Sequence, residues 1–305
     1  MRKKPLFQGC ATALVTPFQQ DGAIDWPSLE QLVERQLAGK VQALVVLGST
    51  GEPLTLTAKE RRQVVSRVTA QVRRRVPVIV GTGGSSTSAV LEEARMAREC
   101  GADAQLCVTP YYSRPMPAGL RAHYTALAAA DTLPIIVYNV PSRTGVNLSA
   151  ETMQAICALP QVIGVKEADT DMVQNQRKLA LCGADTAFYA GNDELIWPLM
   201  ACGAVGVISV ASNLVPERIA ALTEAALHGD CAHAAALQMA LQELHAALFC
   251  ETNPGPIKAA LALAGFMQEM LRLPLTALQP KHKALLAAVL QGMGLCAEEG
   301  NAPCD

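Results

Sequence analysis

Lys166 ends a run of apolar residues, Val162-Ile163-Gly164-Val165. Lysine is rarely buried without a partner or a task, because its charge must leave water. Burial also disfavours the ammonium form of an amine. A neutral amine attacks a ketone to form an imine, and the protonated imine draws electrons from the neighbouring carbon. The competing reading is an ion pair between Lys166 and Glu167 at a strand end. Tyr138 ends another apolar run, and a phenol there would carry protons to and from a carbinolamine. Otherwise its hydroxyl makes one structural hydrogen bond. Arg143 lies in Pro141-Ser142-Arg143-Thr144-Gly145, and its guanidinium fork suits the carboxylate of an acidic substrate. The plainer alternative is a surface arginine. Ser49 and Thr50 sit in a glycine-flanked turn, where hydroxyls and backbone amides approach a small anion.

These residues need elements to hold them. Eight short apolar runs read as strands: Ala11–Val15, Ala43–Leu47, Val78–Val80, Ala104–Val108, Ile135–Tyr138, Val162–Lys166, Ala187–Ala190 and Val205–Ser209. They recur every 25 to 35 residues or so, with amphipathic segments between them. Trp26–Ala38 carries apolar residues at helical spacing. Thr57 before Lys59-Glu60, and Ser149 before Glu151 and Thr152, read as helix N-caps. Continuous apolar strands separated by helices imply a parallel sheet covered on the outside. Eight such units predict an α/β chain folded as a (β/α)8 TIM barrel. After Leu214 the apolar strands stop, and residues 215–293 read as helical and rich in Ala and Leu; the first of these helices completes the eighth unit and an extension begins at about Cys231. The expected organisation is a catalytic barrel over residues 1–230 and a C-terminal helical extension and tail over 231–305, with Glu298–Asp305 frayed. In such a barrel the chemistry sits at the C-terminal ends of the strands. Polar residues gather at that end of nearly every predicted strand.

Composition excludes several classes. The 305 residues are 50% hydrophobic and 4% aromatic, with a net charge of −2. No basic run interleaved with aromatics points to nucleic acid; Arg73-Arg74-Arg75 reads as the end of a helix. No apolar run reaches the roughly 18 residues that a membrane span needs, and the N-terminus does not read as a signal peptide. A cytoplasmic protein is expected. The ten cysteines are scattered without a Cys-x-x-Cys pair, which fits reduced and mostly buried thiols. His123, His228, His233, His245 and His282 fall in helix or tail candidates and none at a strand end, so no metal is expected. Gly81-Thr82-Gly83-Gly84 lacks the Lys-Ser/Thr of a phosphate loop and reads as a tight βα turn. No Gly-x-Ser-x-Gly elbow marks a hydrolase. No cofactor is expected.

Five segments together resemble the dihydrodipicolinate synthase family in order and spacing. They are Gly48-Ser49-Thr50-Gly51-Glu52, Thr109-Pro110-Tyr111-Tyr112, Tyr138 through Gly145, Val165-Lys166-Glu167-Ala168 and Asn253-Pro254-Gly255-Pro256-Ile257-Lys258. The resemblance runs from about Gly9 to Gly294 and places the chain in the wider superfamily of pyruvate-dependent lyases, which includes N-acetylneuraminate lyase. It implies that Lys166 forms a Schiff base with pyruvate and that Tyr138 donates and accepts protons. Ser49 and Tyr112 would complete a relay with Tyr138, with Tyr112 crossing a tight dimer interface. Thr50 and Ile208 would contact pyruvate, and Gly191 would line the pocket. Arg143 would hold the carboxylate of L-aspartate 4-semialdehyde. The implied product is 4-hydroxy-tetrahydrodipicolinate, on the way to diaminopimelate and lysine, and the implied assembly is a homotetramer.

The chain departs from the family pattern in three places. Ser49-Thr50 stands where the synthases usually have Thr-Thr, which keeps the hydroxyl but is shared with other branches. Gly191-Asn192-Asp193 replaces the more usual Gly-Asp-Asp. At positions matching the lysine feedback pocket stand Pro53, Ala58, Arg61, Ser85 and Ala89, and only Tyr111 remains, so weak or absent lysine inhibition is expected. The rival activity is another pyruvate-dependent lyase acting on a sugar acid or hydroxy-oxo acid, for which Arg143 discriminates. A barrel that only binds a keto acid is the rival from another class; a buried amine beside a tyrosine argues against it.

Overall fold

A computed structural model describes residues 3–130 and 132–296. The expected fraying of Glu298–Asp305 lies outside those residues, as does Cys304. Eight parallel strands close a barrel in chain order. They are β1 (Gly9–Ala13), β2 (Ala43–Val46), β3 (Val78–Gly81), β4 (Ala104–Val108), β5 (Ile135–Asn139), β6 (Val162–Glu167), β7 (Ala187–Ala190) and β8 (Gly206–Ser209). Outside them lie helices α1 (Trp26–Ala38), α2 (Ala58–Val72), α3 (Thr87–Glu99), α4 (Pro117–Ala129), the single turn α5 (Pro141–Thr144), α6 (Ala150–Cys157), α7 (Met172–Cys182), α8 (Ile196–Ala201) and α9 (Pro216–Leu227). Helices α10 (Cys231–Ala240), α11 (Gln242–Leu248), α12 (Gly255–Leu263) and α13 (Pro280–Gly292) follow.

The strands bury both faces, which is why they read as unbroken apolar runs rather than alternating ones. Successive side chains still point to opposite sides, so the barrel has two cores. Ala13, Val45, Ile79, Leu106, Ile136 and Tyr138 pack inside it. Cys10, Leu44, Val46, Val80, Val137 and Val165 pack outward against the helices. Phe7, just before β1, stacks on the ring of Tyr189 with centroids 4.3 Å apart, and its carbonyl accepts from the Tyr189 hydroxyl at 3.0 Å. That pair fills the barrel interior toward its N-terminal end.

Helix α2 starts as its sequence predicts. The Thr57 hydroxyl accepts from the Glu60 amide, and the Glu60 carboxylate accepts from the Thr57 amide. The Ser49–Gly51 turn ahead of it is a short 3-10 helix. Arg73 and Arg74 stand beyond the end of α2 in left-handed conformations, while Arg75 makes two hydrogen bonds to Glu34. That arrangement suits a solvated surface cluster. A Cβ on Gly81 would lie 2.1 Å from the Leu47 carbonyl oxygen, so the last position of β3 needs glycine for backbone packing. Among the described residues nine cysteines are free thiols, but only Cys10, Cys107, Cys157 and Cys182 are buried. The expectation of mostly buried thiols therefore fails for the remainder. No described helix is long and apolar enough to cross a membrane.

One buried titratable group gives the fold a pH dependence. His123 on α4 is 5% exposed, with Nδ1 2.9 Å from the Thr87 hydroxyl and Nε2 beside the Cys107 thiol. Burial pulls its pKa down to about 4. The unfolded chain then binds the extra proton between about pH 6.5 and pH 4, so stability falls as the pH drops through that window and levels off below it. The cost is on the order of 3 kcal/mol at most. Denaturant unfolding at pH 7 and pH 4.5 should show a smaller acid loss for His123→Gln than for the unaltered protein. Equal losses would remove His123 from the account.

Candidate active site

Strand β6 does not keep a strict two-residue period. Its pairing with β5 runs Ile135 to Val162 and then Ile136 to Gly164, so Ile163 is an extra residue in a bulge. Val162 and Val165 both face the helices. Without the bulge, strict alternation from Val162 would turn Lys166 outward as well. With it, Lys166 pairs in register with Tyr138, whose side chain belongs to the inner core. Lys166 is 4% exposed, and its Nζ lies 4.4 Å from the centroid of the Tyr138 ring.

Glu167, one residue on, faces the other way. The ion pair between Lys166 and Glu167 considered from sequence does not form, because consecutive strand residues point to opposite faces. Glu167 instead accepts from Lys178 Nζ on α7 at 3.0 Å, from Asn139 Nδ2 at 2.8 Å and from the Asp169 amide at 2.8 Å. Burial raises the Glu167 carboxyl above the usual range, and Lys178 pulls against that rise. Asn139 follows Tyr138 just as Glu167 follows Lys166, and the two are register partners. A hydrogen-bonded pair behind the barrel wall thus ties together the strand ends that carry Tyr138 and Lys166.

A cavity of about 560 Å³ opens at the C-terminal ends of the strands. Ser49, Tyr138 and Arg143 line it, with Tyr111, Val140, Thr144 and Asn253. Thr50 is buried, and its hydroxyl accepts from Asn253 Nδ2 at 3.0 Å. Ile208 is fully buried in the same inner cluster as Tyr138. The Gly191 amide donates to the Glu167 carbonyl at 2.7 Å. A Cβ on Gly191 would sit 2.8 Å from the Ala168 Cβ and 2.9 Å from the Glu167 carbonyl oxygen, so this position has no room for a side chain. Arg143 Nη2 donates to the Asn253 carbonyl at 3.0 Å, leaving other guanidinium donors for a bound anion.

Tyr112 is placed differently. It is 95% exposed, has a left-handed φ of +70°, and lies outside the cavity of its own chain, which its neighbour Tyr111 lines instead. A left-handed conformation is costly for an aromatic residue and persists where its surroundings impose it. The far end of the cavity holds Pro53, Ser85, Ala89 and the ion pair of Arg61 with Glu93 at 2.7 Å; Ala58 is not part of the lining.

Sequence reasoning assigned no role to the residues that brace this mouth from the C-terminal helices. Lys258 on α12 is fully buried and donates to Glu52 at 2.5 Å. Burial pulls the Lys258 ammonium down to about 8, helped by the charge of Arg272 and opposed by Glu52. The Arg272 amide donates to the other Glu52 oxygen at 3.2 Å, and its guanidinium binds Glu60. Both cations lie over the Phe18 ring, at 4.1 Å and 4.5 Å. The visible signal was Asn253-Pro254-Gly255-Pro256-Ile257-Lys258, but its contacts span some 200 residues of sequence.

The dihydrodipicolinate synthetase family matches residues 6–293. The chain is 44% identical to the 4-hydroxy-tetrahydrodipicolinate synthase of Geobacter sulfurreducens, over 94% of this chain and 98% of that one. It superimposes on the dihydrodipicolinate synthase of Thermotoga maritima with a TM-score of 0.93 at 42% identity, covering 95% and 99% of the two chains. It superimposes equally well, with a TM-score of 0.93 at 40% identity over 94% and 99%, on the chloride-inhibited dihydrodipicolinate synthase of Acinetobacter baumannii complexed with pyruvate. With matches of this extent, a closed parallel barrel and a lysine facing into it, the chain belongs to the dihydrodipicolinate synthetase family.

Proposed function

We propose that the chain condenses pyruvate with L-aspartate 4-semialdehyde, through a Schiff base on Lys166, to give 4-hydroxy-tetrahydrodipicolinate. The observation that carries this reading is the inward-facing Lys166 against the Tyr138 ring, below a cavity that Arg143 also lines. The Lys166 amine attacks the ketone carbon of pyruvate. The carbinolamine loses water, with Tyr138 handing a proton to the departing oxygen. The resulting iminium acidifies the pyruvate methyl group, which gives up a proton to form the enamine. The enamine carbon attacks the aldehyde, a new carbon–carbon bond forms, and the aldehyde oxygen takes up a proton. Ring closure by the substrate amine then frees Lys166.

The other groups follow from their chemistry. Ser49 and Thr50 supply hydroxyls at the end of β2, Ile208 in the inner core beside Tyr138 contacts pyruvate, Gly191 leaves no side chain at the end of β7, and Ser49 links Tyr138 to solvent. Tyr112 completes that relay from a neighbouring chain; its exposed, left-handed placement outside its own cavity supports this role. The enzyme acts in the cytoplasm as a homotetramer built from such dimers.

Arg143 decides between this substrate and a neutral polyol chain. A charge-assisted bond to a carboxylate is worth about 1.5–3 kcal/mol. Arg143→Ala should therefore raise KM for L-aspartate 4-semialdehyde roughly 10- to 100-fold while KM for pyruvate stays within about twofold. An unchanged aldehyde KM would favour a sugar acid or hydroxy-oxo acid as substrate.

Free lysine should not regulate the enzyme. The far end of the cavity offers Arg61, a cation already paired with Glu93, to a ligand that is itself cationic. Initial rates should be unchanged by millimolar lysine; strong inhibition would contradict this.

A further inference from the structure

Thr50 and Arg143 lie on different loops, after β2 and β5, yet they share one neighbour. Asn253, in the segment between α11 and α12, donates from Nδ2 to the Thr50 hydroxyl at 3.0 Å and accepts from Arg143 Nη2 through its main-chain carbonyl at 3.0 Å. It is 5% exposed and lines the cavity. Its side-chain oxygen is buried without a partner. Such an oxygen costs about 1–3 kcal/mol, so this amide is held for what its nitrogen does.

The segment that carries Asn253 is itself anchored. Lys258, one and a half turns further along, is clamped to Glu52, two residues after Thr50, in a pair with no exposed side-chain surface. Arg272 closes on the same Glu52 and on the Thr55 carbonyl. Glu52 has a left-handed φ of +52°, which this set of bonds pins in place. The loop of Ser49 and Thr50 is thereby gripped from the C-terminal helices at two points.

We propose that Asn253 is a positioning residue that orients the Thr50 hydroxyl toward the keto-acid half of the pocket through its side chain, while its main chain holds Arg143 for the other half. The inference rests on the function proposed above. Because the two links leave from different parts of one residue, they can be cut separately. Asn253→Ala removes the link to Thr50 and leaves the carbonyl that holds Arg143.

The test is a double-mutant cycle on the full chain, with initial rates in pyruvate and L-aspartate 4-semialdehyde. Asn253→Ala and Thr50→Val should each lower kcat/KM for pyruvate by about tenfold, the scale of one hydrogen bond of about 1.4 kcal/mol. KM for the aldehyde should stay within about twofold in Asn253→Ala. The double variant should be no worse than Thr50→Val alone, because both changes break the same link. Thr50→Ser, which keeps the acceptor, should lose less kcat/KM than Thr50→Val, and adding Asn253→Ala to it should cost a further loss. Should Asn253→Ala fail to fold by thermal unfolding, Asn253→Ser, too short to span the gap, makes the same comparison. Additive losses, or equal rises in KM for both substrates, would overturn the proposal. Borohydride trapping of pyruvate by the unaltered protein separates the two levels. If trapping fails, the function itself is wrong; if it succeeds and the losses add, only the role of Asn253 falls.

Discussion

Lys166→Ala is expected to lower turnover by roughly 10⁴-fold or more and to end borohydride trapping of pyruvate. The loss is large because, among the described residues, the cavity lining holds no lysine that could take its place. Lys178, on α7, is bound to Glu167 on the helix side of the barrel wall, and Lys258 is committed to Glu52 behind Phe18. The fold should tolerate the change. Lys166 packs against the Tyr138 ring, and its nearest acid in sequence is bound to Lys178, so truncation strands no buried charge. Intact-protein mass after pyruvate and borohydride should show one adduct on the unaltered chain, located at Lys166 by peptide mapping. An adduct on a different lysine, or turnover of the alanine variant within about tenfold of normal, would refute the assignment.

Tyr138→Phe carries the second large effect. The ring remains, so the contact that supports the Lys166 amine and the packing with Ile136 and Ile208 remain with it. Only the hydroxyl is lost. Proton transfer by a positioned side chain contributes about 10²–10⁴-fold, so kcat should fall within that range. Pyruvate should still be trapped on Lys166, only more slowly, because carbinolamine dehydration loses its proton donor while the nucleophile is intact. Loss of activity together with loss of trapping would mean that the hydroxyl is needed for the amine to attack at all, and would overturn the role of proton donor in dehydration. Activity within about twofold of normal would reduce Tyr138 to a barrel aromatic.

The two variants probe residues that the sequence exposed for different reasons. Lys166 was visible because a charge closing an apolar run is rare. Tyr138 was visible only by position, at a predicted strand end. Thr50 and Arg143 were visible as polar residues in loops with glycine or proline, which place them near the mouth but not against each other. Asn253 was legible only as part of a motif. Its bonds to Thr50 and Arg143 join positions 203 and 110 residues apart, and no local pattern encodes such pairings.

The strand assignments show a similar division. Ala104–Val108 and Ala187–Ala190 coincide with β4 and β7, because both are compact apolar runs bounded by breaks. The first strand was read as Ala11–Val15 but pairs over Gly9–Ala13. Leu14 and Val15 are as buried as the strand itself. Apolarity reports burial, whereas a strand end is set by where the neighbours β2 and β8 stop pairing.

By itself the sequence determined the number and order of the strands, the closed α/β architecture, and the type of chemistry that a buried amine supports. These follow from local apolar runs and from the cost of burying charge. The tertiary structure decided which way Lys166 faces. Two-residue alternation from Val162 would send it to the helices, beside Glu167's partner Lys178. The bulge at Ile163, set by pairing with the neighbouring strand β5, turns it inward to Tyr138. Side-chain direction in a strand depends on register, and register is a property of two strands together.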